Sequence, residues 1–181
     1  MRTGEAVATL LLGVLVVPTP ATSESAPRAA VRIEGGLLIN SQANYSFTVP
    51  PEWVLRDGRD YKTVEVFHPA SGSIFSVDYE RKRTDGNPLS QALAFSVHSP
   101  ARDWRPEKTG TAKIAGHTAF EAQGTRTRDG TKERVRYLVT EVGDYTYLLV
   151  SAVPEAAIKK RRPEIDTIIQ TFSFGRPPQA P

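Results

Sequence analysis

Two short turns constrain the fold more than any other feature of the sequence. Asp129-Gly130 is typical of a two-residue hairpin turn, which fixes the register of its flanking strands. The facing pairs on one side are then Phe120 with Val139, Ala122 with Tyr137, Gly124 with Val135 and Arg126 with Glu133. A second turn at Gly143-Asp144 gives, on that same side, Val139 with Leu148, Tyr137 with Val150 and Val135 with Ala152. Because both turns define one apolar face that ends in an ion pair, the sequence predicts an antiparallel three-stranded meander.

Alternating apolar residues predict further strands before this meander. Three runs with a period of two residues begin at Tyr45, Val64 and Phe75. Residues 68–73, between the second and third runs, contain a proline and a glycine that favour a turn. The second and third runs should therefore form a hairpin.

Helical patterns are fewer. Residues 163–172 place apolar side chains at helical spacing, with Pro163 at a tolerated first-turn position. The basic run 159–162 lies before or within the start of this helix, and residues 88–97 form a second candidate helix. Because strands outnumber helices, the predicted fold class is α+β.

The amino terminus has the three regions of a secretory signal peptide. Arg2 precedes the apolar run 6–17, and small residues and prolines follow, with Ser23 as the predicted last residue of the leader. The apolar run is shorter than the roughly 20 residues that span a hydrocarbon core, so no stable transmembrane anchor should remain after cleavage. The predicted location is therefore exported, either periplasmic or extracellular.

The predicted domain organisation follows from these features. Residues 1–23 are the signal peptide and residues 24–36 a flexible segment. Residues 37–174 form one α+β domain, and the proline-rich residues 175–181 form a disordered tail.

The chain has no cysteine, which excludes disulfides, thiolate metal sites and a cysteine nucleophile. A small exported domain without disulfides is more typical of a bacterium than of an animal. The net charge of +3 is a mild basic excess that says little about partners by itself.

The order of these elements resembles the PsbP-like superfamily, which includes the Mog-type, DcrB-type and LpqN-type proteins. Three motifs carry the resemblance: NYSFTVPPEW with Pro50, Pro51 and Trp53; KIAGHTAFEA with Gly116 and Ala119; and YTYLLVSAVPE with EIDTIIQTFSF, ending in Ser173 and Phe174. The resemblance covers residues 37–174 and implies a single antiparallel sheet with helices on both faces. It implies no shared catalytic residue, since members of the superfamily mostly act as binding or assembly modules.

No catalytic, cofactor or metal site is predicted. The three histidines, His68, His98 and His117, have no ligand-spaced neighbours, although a site from His68 or His117 with Asp78 or Glu80 is conceivable. Ser71-Gly72-Ser73 is a turn between strands and not a nucleophile elbow. No phosphate-binding or dinucleotide-binding motif is present, whereas a convergent pair of carboxylates would be invisible at this level.

A basic hairpin is the candidate partner site. Arg128, Lys132, Arg134 and Arg136 cluster there, and strand alternation sends the last three to its outer face. They could bind an acidic protein or an anionic envelope component, or they could be solvated charges that keep the hairpin from pairing with other strands. Nucleic acid is not expected, because no aromatic residues interleave with these charges.

The face opposite the meander's predicted core is also apolar. Leu138, Tyr147 and Leu149 lie there. This face would be a partner site if it were open to water and a second core layer if other elements covered it. The favoured interpretation is that other elements cover this face and make it a second core layer.

The leading functional hypothesis is a non-catalytic binding or accessory module that acts on another envelope or secreted component. The alternatives are a hydrolase whose site is not visible in the sequence and a carrier of a small apolar ligand.

Overall fold

The computed structural model describes residues 30–56, 63–82 and 104–175, which form two antiparallel sheets and one long helix. The strands are β1 Val31–Glu34, β2 Leu37–Asn40, β3 Tyr45–Thr48, β4 Val54–Leu55, β5 Thr63–His68, β6 Ser73–Arg81, β7 Arg105–Ile114, β8 His117–Arg128, β9 Thr131–Val142, β10 Tyr145–Pro154 and β11 Ser173–Phe174. A short 3₁₀ helix, Glu155–Ala157, leads into helix α1, Ile158–Thr171.

The larger sheet has seven strands in the order β4-β5-β6-β10-β9-β8-β7. Strands β8, β9 and β10 form the predicted meander, and every pairing expected from the two turns is present. Strands β5 and β6 form the predicted hairpin around residues 69–72. The register predicted from the two turns is therefore correct across the centre of the sheet.

The smaller sheet has four strands in the order β1-β2-β3-β11. Its strand β1 pairs with β2 from Val31 onwards, so the folded part begins before the predicted boundary at Leu37. At the other edge, Ser173 and Phe174 pair with Ser46 and Tyr45 of β3. The chain therefore returns from α1 to close this sheet.

The main core lies between the two sheets and under α1. Phe172 stacks on Tyr45 and Phe47, with ring centroids 5.3 and 5.7 Å apart. Isoleucines from the buried face of α1 pack into the same cluster: Ile165, Ile168 and Ile169. Leu138, Tyr147 and Leu149 are buried there too, so the second apolar face of the meander is a core layer, covered by the smaller sheet and α1.

A second apolar cluster occupies the other face of the seven-stranded sheet. It contains Tyr137 and Val139 of β9 with Leu148 and Val150 of β10. Trp104 packs edge-on against Tyr137, with 5.0 Å between ring centroids. Both faces of the meander therefore carry buried apolar residues.

The α+β class is confirmed, but the single sheet implied by the resemblance is wrong, because the amino-terminal strands pair with β11 to form a separate sheet. Helix α1 covers one face of the larger sheet; the second predicted helix, 88–97, lies outside the described residues. Helices on both faces therefore stay a prediction. Helix α1 also starts earlier than predicted, at Ile158, which places Pro163 inside it and the basic run 159–162 in its first turns.

In the part of the chain that the structure describes, no helix combines the length and the apolar character that crossing a membrane requires.

Candidate functional site

A groove of about 490 Å³ lies between α1 and the face of strands β7 to β10. The same sheet face carries the core residue Leu138 farther along β9, where the smaller sheet and α1 cover it. Beyond Leu138 the side chains on this strand face become charged, and α1 borders them through residues such as Arg162 and Asp166. The groove is therefore the open continuation of the main core face.

Strand register explains which residues reach the groove. Lys108, Gln123, Arg136 and Ser151 are successive neighbours across strands β7, β8, β9 and β10. Directly paired residues point to the same face of a sheet, so these four form one polar row across the floor. All four line the groove.

Arg136 is fixed between the sheet and the helix. Its Nε lies 2.5 Å from Oε1 of Glu121, and its Nη1 lies 3.3 Å from Oδ1 of Asp166 on α1. Glu121 Oε1 also accepts a hydrogen bond of 2.8 Å from Gln123. Because the Arg136 side chain is only 27% exposed, these contacts hold its guanidinium in one place.

Arg134 and Lys132 lie farther out along the same strand face. Arg134 donates a hydrogen bond to Glu107, which lowers the pKa of that carboxyl below its ordinary value. Lys132 Nζ lies 3.1 Å from Oε1 of Glu155, which is also 3.9 Å from Arg134. The side chain of Lys132 is 60% exposed and that of Arg134 is 47% exposed, and each of these cations already has a carboxylate neighbour.

Arg128 does not join these residues, so the four predicted partner-binding residues do not form one patch. It lies on the opposite sheet face, where its guanidinium forms an ion pair with Oε1 of Glu133 at 2.7 Å and donates a hydrogen bond of 3.3 Å to the carbonyl of Gly72. Arg126 donates to the other carboxylate oxygen of Glu133 at 2.7 Å, as the predicted pairing required. Since Glu133 is 1% exposed, Arg128 compensates a buried charge and ties two turns together.

The acidic side of the groove was not predicted. The carboxylates that contact Lys132, Arg134 and Arg136 of β9 come from other elements: Glu107, Glu121 and Asp166 line the groove, and Glu155 lies beside it. Only Glu121 carried a usable signal, because the register deduced from Asp129-Gly130 places it diagonally beside Arg136. No sequence pattern connects Asp166 or Glu155 to this face.

A second polar cluster surrounds His68, which is 2% exposed. Its Nδ1 accepts a hydrogen bond of 3.3 Å from the Ser71 amide, and its Nε2 lies 3.1 Å from Oε2 of Glu52. The Ser71 hydroxyl donates to Ser73 instead. Both ring nitrogens of His68 are thus occupied, and neither can take a proton from Ser71 or Ser73, so this cluster gives the hydrolase alternative no support.

The other histidines do not extend this cluster within the described residues. His117 is exposed and contacts the ring of Phe174, whereas His98 lies outside the described residues. Across residues 30–56, 63–82 and 104–175, no three His, Asp or Glu side chains come together as metal ligands would. The groove itself is lined mostly by charged and polar side chains, which do not suit the small apolar ligand of the carrier alternative.

The two antiparallel sheets, the closing helix and the return strand β11 form an α+β domain with a charged groove beside its helix. LpqN, involved in cell envelope biogenesis of Mycobacterium tuberculosis, superposes with a TM-score of 0.59 at 11% identity, covering 73% of this chain and 83% of LpqN. Cyanobacterial PsbP from Synechocystis superposes with a TM-score of 0.53 at 14% identity, covering 74% and 88% of the two chains. A Pseudomonas aeruginosa protein of unknown function gives 0.50 at 18% identity, covering 73% and 92%.

These similarities confirm the PsbP-like fold that the sequence motifs predicted, and at such low identity they show the fold alone. No protein-family model matches the chain, and no curated protein sequence matches it.

Proposed function

We propose that this protein is an exported, non-catalytic accessory module that binds another component of the cell envelope through the groove between α1 and the sheet. The observation that carries the proposal is the geometry of Arg136, a guanidinium fixed between Glu121 of the sheet and Asp166 of the helix on the floor of the groove. A charged group that is already held in place costs little further ordering when a partner binds. Recognition by preorganised ion pairs needs no chemical step.

Export rests on the amino-terminal signal sequence and agrees with the envelope role stated for LpqN. Cleavage after Ser23 would release a protein whose folded part begins near Val31. Intact-mass measurement of the natively expressed protein should show a loss of about 21 to 26 residues. A full-length mass in the exported fraction would contradict this part of the proposal.

Groove binding is tested by retention of envelope components on the immobilised protein. The variant Arg134→Gln with Arg136→Gln removes two groove cations while keeping polar side chains. It should lose the components that the parent protein retains, because both guanidinium groups would no longer be available. Thermal unfolding of the variant checks that its fold is intact.

The matched control is Lys82→Gln. Lys82 also forms an ion pair with a glutamate, Glu141, but near the opposite end of the sheet, where Arg81 pairs with Tyr145. This variant should retain the same components as the parent. Equal retention by the parent and the double groove variant would overturn the proposed function.

A further inference from the structure

The charges of the groove compensate one another. Arg134 in the groove faces Glu107, Lys132 at its border faces Glu155, and Arg162 of α1 lies 4.0 Å from Asp166. The acidic side chains Glu107, Glu155 and Asp166 are all at least 40% exposed, so they face an incoming partner as directly as the cations do. The basic character of the hairpin sequence is therefore largely cancelled in the fold.

This compensation argues against a purely anionic partner. Long-range attraction follows the summed local charge, which is small around Lys132, Arg134 and Arg136 because each has a carboxylate within ion-pair distance. An anionic polymer or lipid surface approaching Arg134 would also meet Glu107 and Glu155. Like charges brought together at an interface oppose binding.

A partner that carries both charges fits the same arrangement. An incoming carboxylate can accept hydrogen bonds from Arg134 while an incoming ammonium or guanidinium group takes its place beside Glu107. Each internal ion pair is then replaced by two contacts of the same kind, so no charge is left unpaired when the groove is covered. Ile158, half-buried on the helix side of the groove, offers an apolar contact to the same partner.

Resting on the proposed function, we infer that the groove recognises a segment of a partner protein in which acidic and basic side chains stand at a fixed spacing. Alternating charges of both signs in the groove would determine the register and orientation in which such a segment binds. They would contribute less to the affinity of binding. The spacing is set by the fixed positions of Arg134, Arg136 and their carboxylates.

The test is selection of short random peptides displayed on phage against the protein and against an exchange variant, Glu107→Arg with Arg134→Glu. Both side chains are about half exposed, so the exchanged ion pair can form again with the opposite polarity. The parent should select peptides with acidic and basic residues at a fixed spacing, and the exchange variant should select peptides with the order of charges reversed. The exchange Lys82→Glu with Glu141→Lys, made at an ion pair outside the groove, should select the same peptides as the parent.

A second variant keeps the test decisive if the exchange variant does not fold. Glu107→Gln leaves Arg134 without its carboxylate on β7, so the selected peptides should keep their acidic residue and lose the matching basic one. Peptides that carry acidic residues alone on the parent, identical peptides on the parent and exchange variant, or no enrichment would each overturn the inference. The parent protein could nevertheless retain envelope components that the double variant Arg134→Gln with Arg136→Gln loses. In that case the proposed function stands, and only the inference of a mixed-charge partner is wrong.

Discussion

Trp53 and Glu164 are joined by a hydrogen bond of 2.7 Å, from the indole Nε1 to carboxylate Oε2. Glu164 lies on α1, and its other oxygen accepts a 2.7 Å hydrogen bond from Arg161. Trp53 follows the Pro-Pro-Glu turn and packs edge-on against His68. One aromatic ring thus links three segments: the Pro-Pro-Glu turn, the β5–β6 connection and the first half of α1. This part of α1 also carries residues that border the groove.

We expect Trp53→Ala to lower the free energy of unfolding by about 3 to 5 kcal/mol, because the ring is buried in the main core. Trp53→Phe keeps a ring but removes the donor, and should cost about 1.5 to 3 kcal/mol for a bond to a charged acceptor. Denaturant unfolding of both variants measures these values. A loss below about 1 kcal/mol for Trp53→Ala would show that the ring is not a structural anchor.

Gly124 of β8 is a position where the backbone of another strand approaches closely. A Cβ at this residue would overlap the Arg105 carbonyl oxygen and would lie 3.0 Å from Trp104 Nε1. Gly124→Ala should therefore displace the start of β7 and destabilise the protein by about 1 to 3 kcal/mol. Thermal or denaturant unfolding measures the loss.

Gly110 of β7 is the matched control for Gly124, because a methyl group added there would meet nothing within 4 Å and its φ is not positive. Gly110→Ala should be neutral or slightly stabilising, since it reduces the entropy of the unfolded chain. Equal effects of the two alanines would contradict the close approach at Gly124.

Glu52 gives the protein an acid-sensitive contact. Its hydrogen bond with His68, followed by the positive charge of Lys160, lowers the pKa of its carboxyl below the ordinary 4.5. A carboxylate with a lowered folded-state pKa adds stability above its unfolded pKa, and this stability is lost as the pH falls through the folded pKa. Glu52→Gln should therefore be less stable than the parent at pH 7, and the difference should shrink below about pH 4.5. A difference that stays constant across this range would contradict the assignment.

We expect the contribution of Asp78 to stability to depend on pH with the opposite sign to that of Glu52. Partial burial on β6, and then the nearby charge of Glu65, raise the pKa of its carboxyl, although a hydrogen bond from Thr63 acts against them. The ionised form then costs stability above the unfolded pKa, and the cost grows as the pH rises through the folded pKa. Asp78→Asn should raise the melting temperature at pH 7 and change it little near pH 3. A lower melting temperature at pH 7 would contradict this.

The centre of the fold was predictable because its information is local. Asp129-Gly130 and Gly143-Asp144 are two-residue signals, and a turn of known length fixes every pairing along the strands that it joins. The β1–β2 hairpin of the smaller sheet has the same kind of two-residue signal at Gly35-Gly36, but the closure of this sheet by β11 has none. Its closing contact joins Tyr45 to Phe174 across most of the chain, and no turn between them sets a register.

The candidate site was predictable only on its basic side. Strand alternation correctly sent Lys132, Arg134 and Arg136 to one face, but the same rule placed Arg128 on the other face beside buried Glu133. The carboxylates that neutralise the basic residues arrive from β7, β8 and the region of α1. Charge clustering in sequence therefore overestimated the positive potential of the folded surface.

The buried pairing of Arg126 with Glu133 has a consequence for how the β8–β9 hairpin avoids misalignment. A slip by two residues would keep apolar side chains on the same face, so hydrophobic burial alone discriminates weakly against it. A slip in one direction would place Arg126 opposite Thr131 and Glu133 opposite Gly124, whereas a slip in the other direction would place Arg126 opposite Val135 and Glu133 opposite Arg128. In the first of these registers the buried carboxylate of Glu133 would lose its direct partner, and an incompletely compensated buried charge costs stability, so the Arg126–Glu133 pair disfavours that misaligned hairpin.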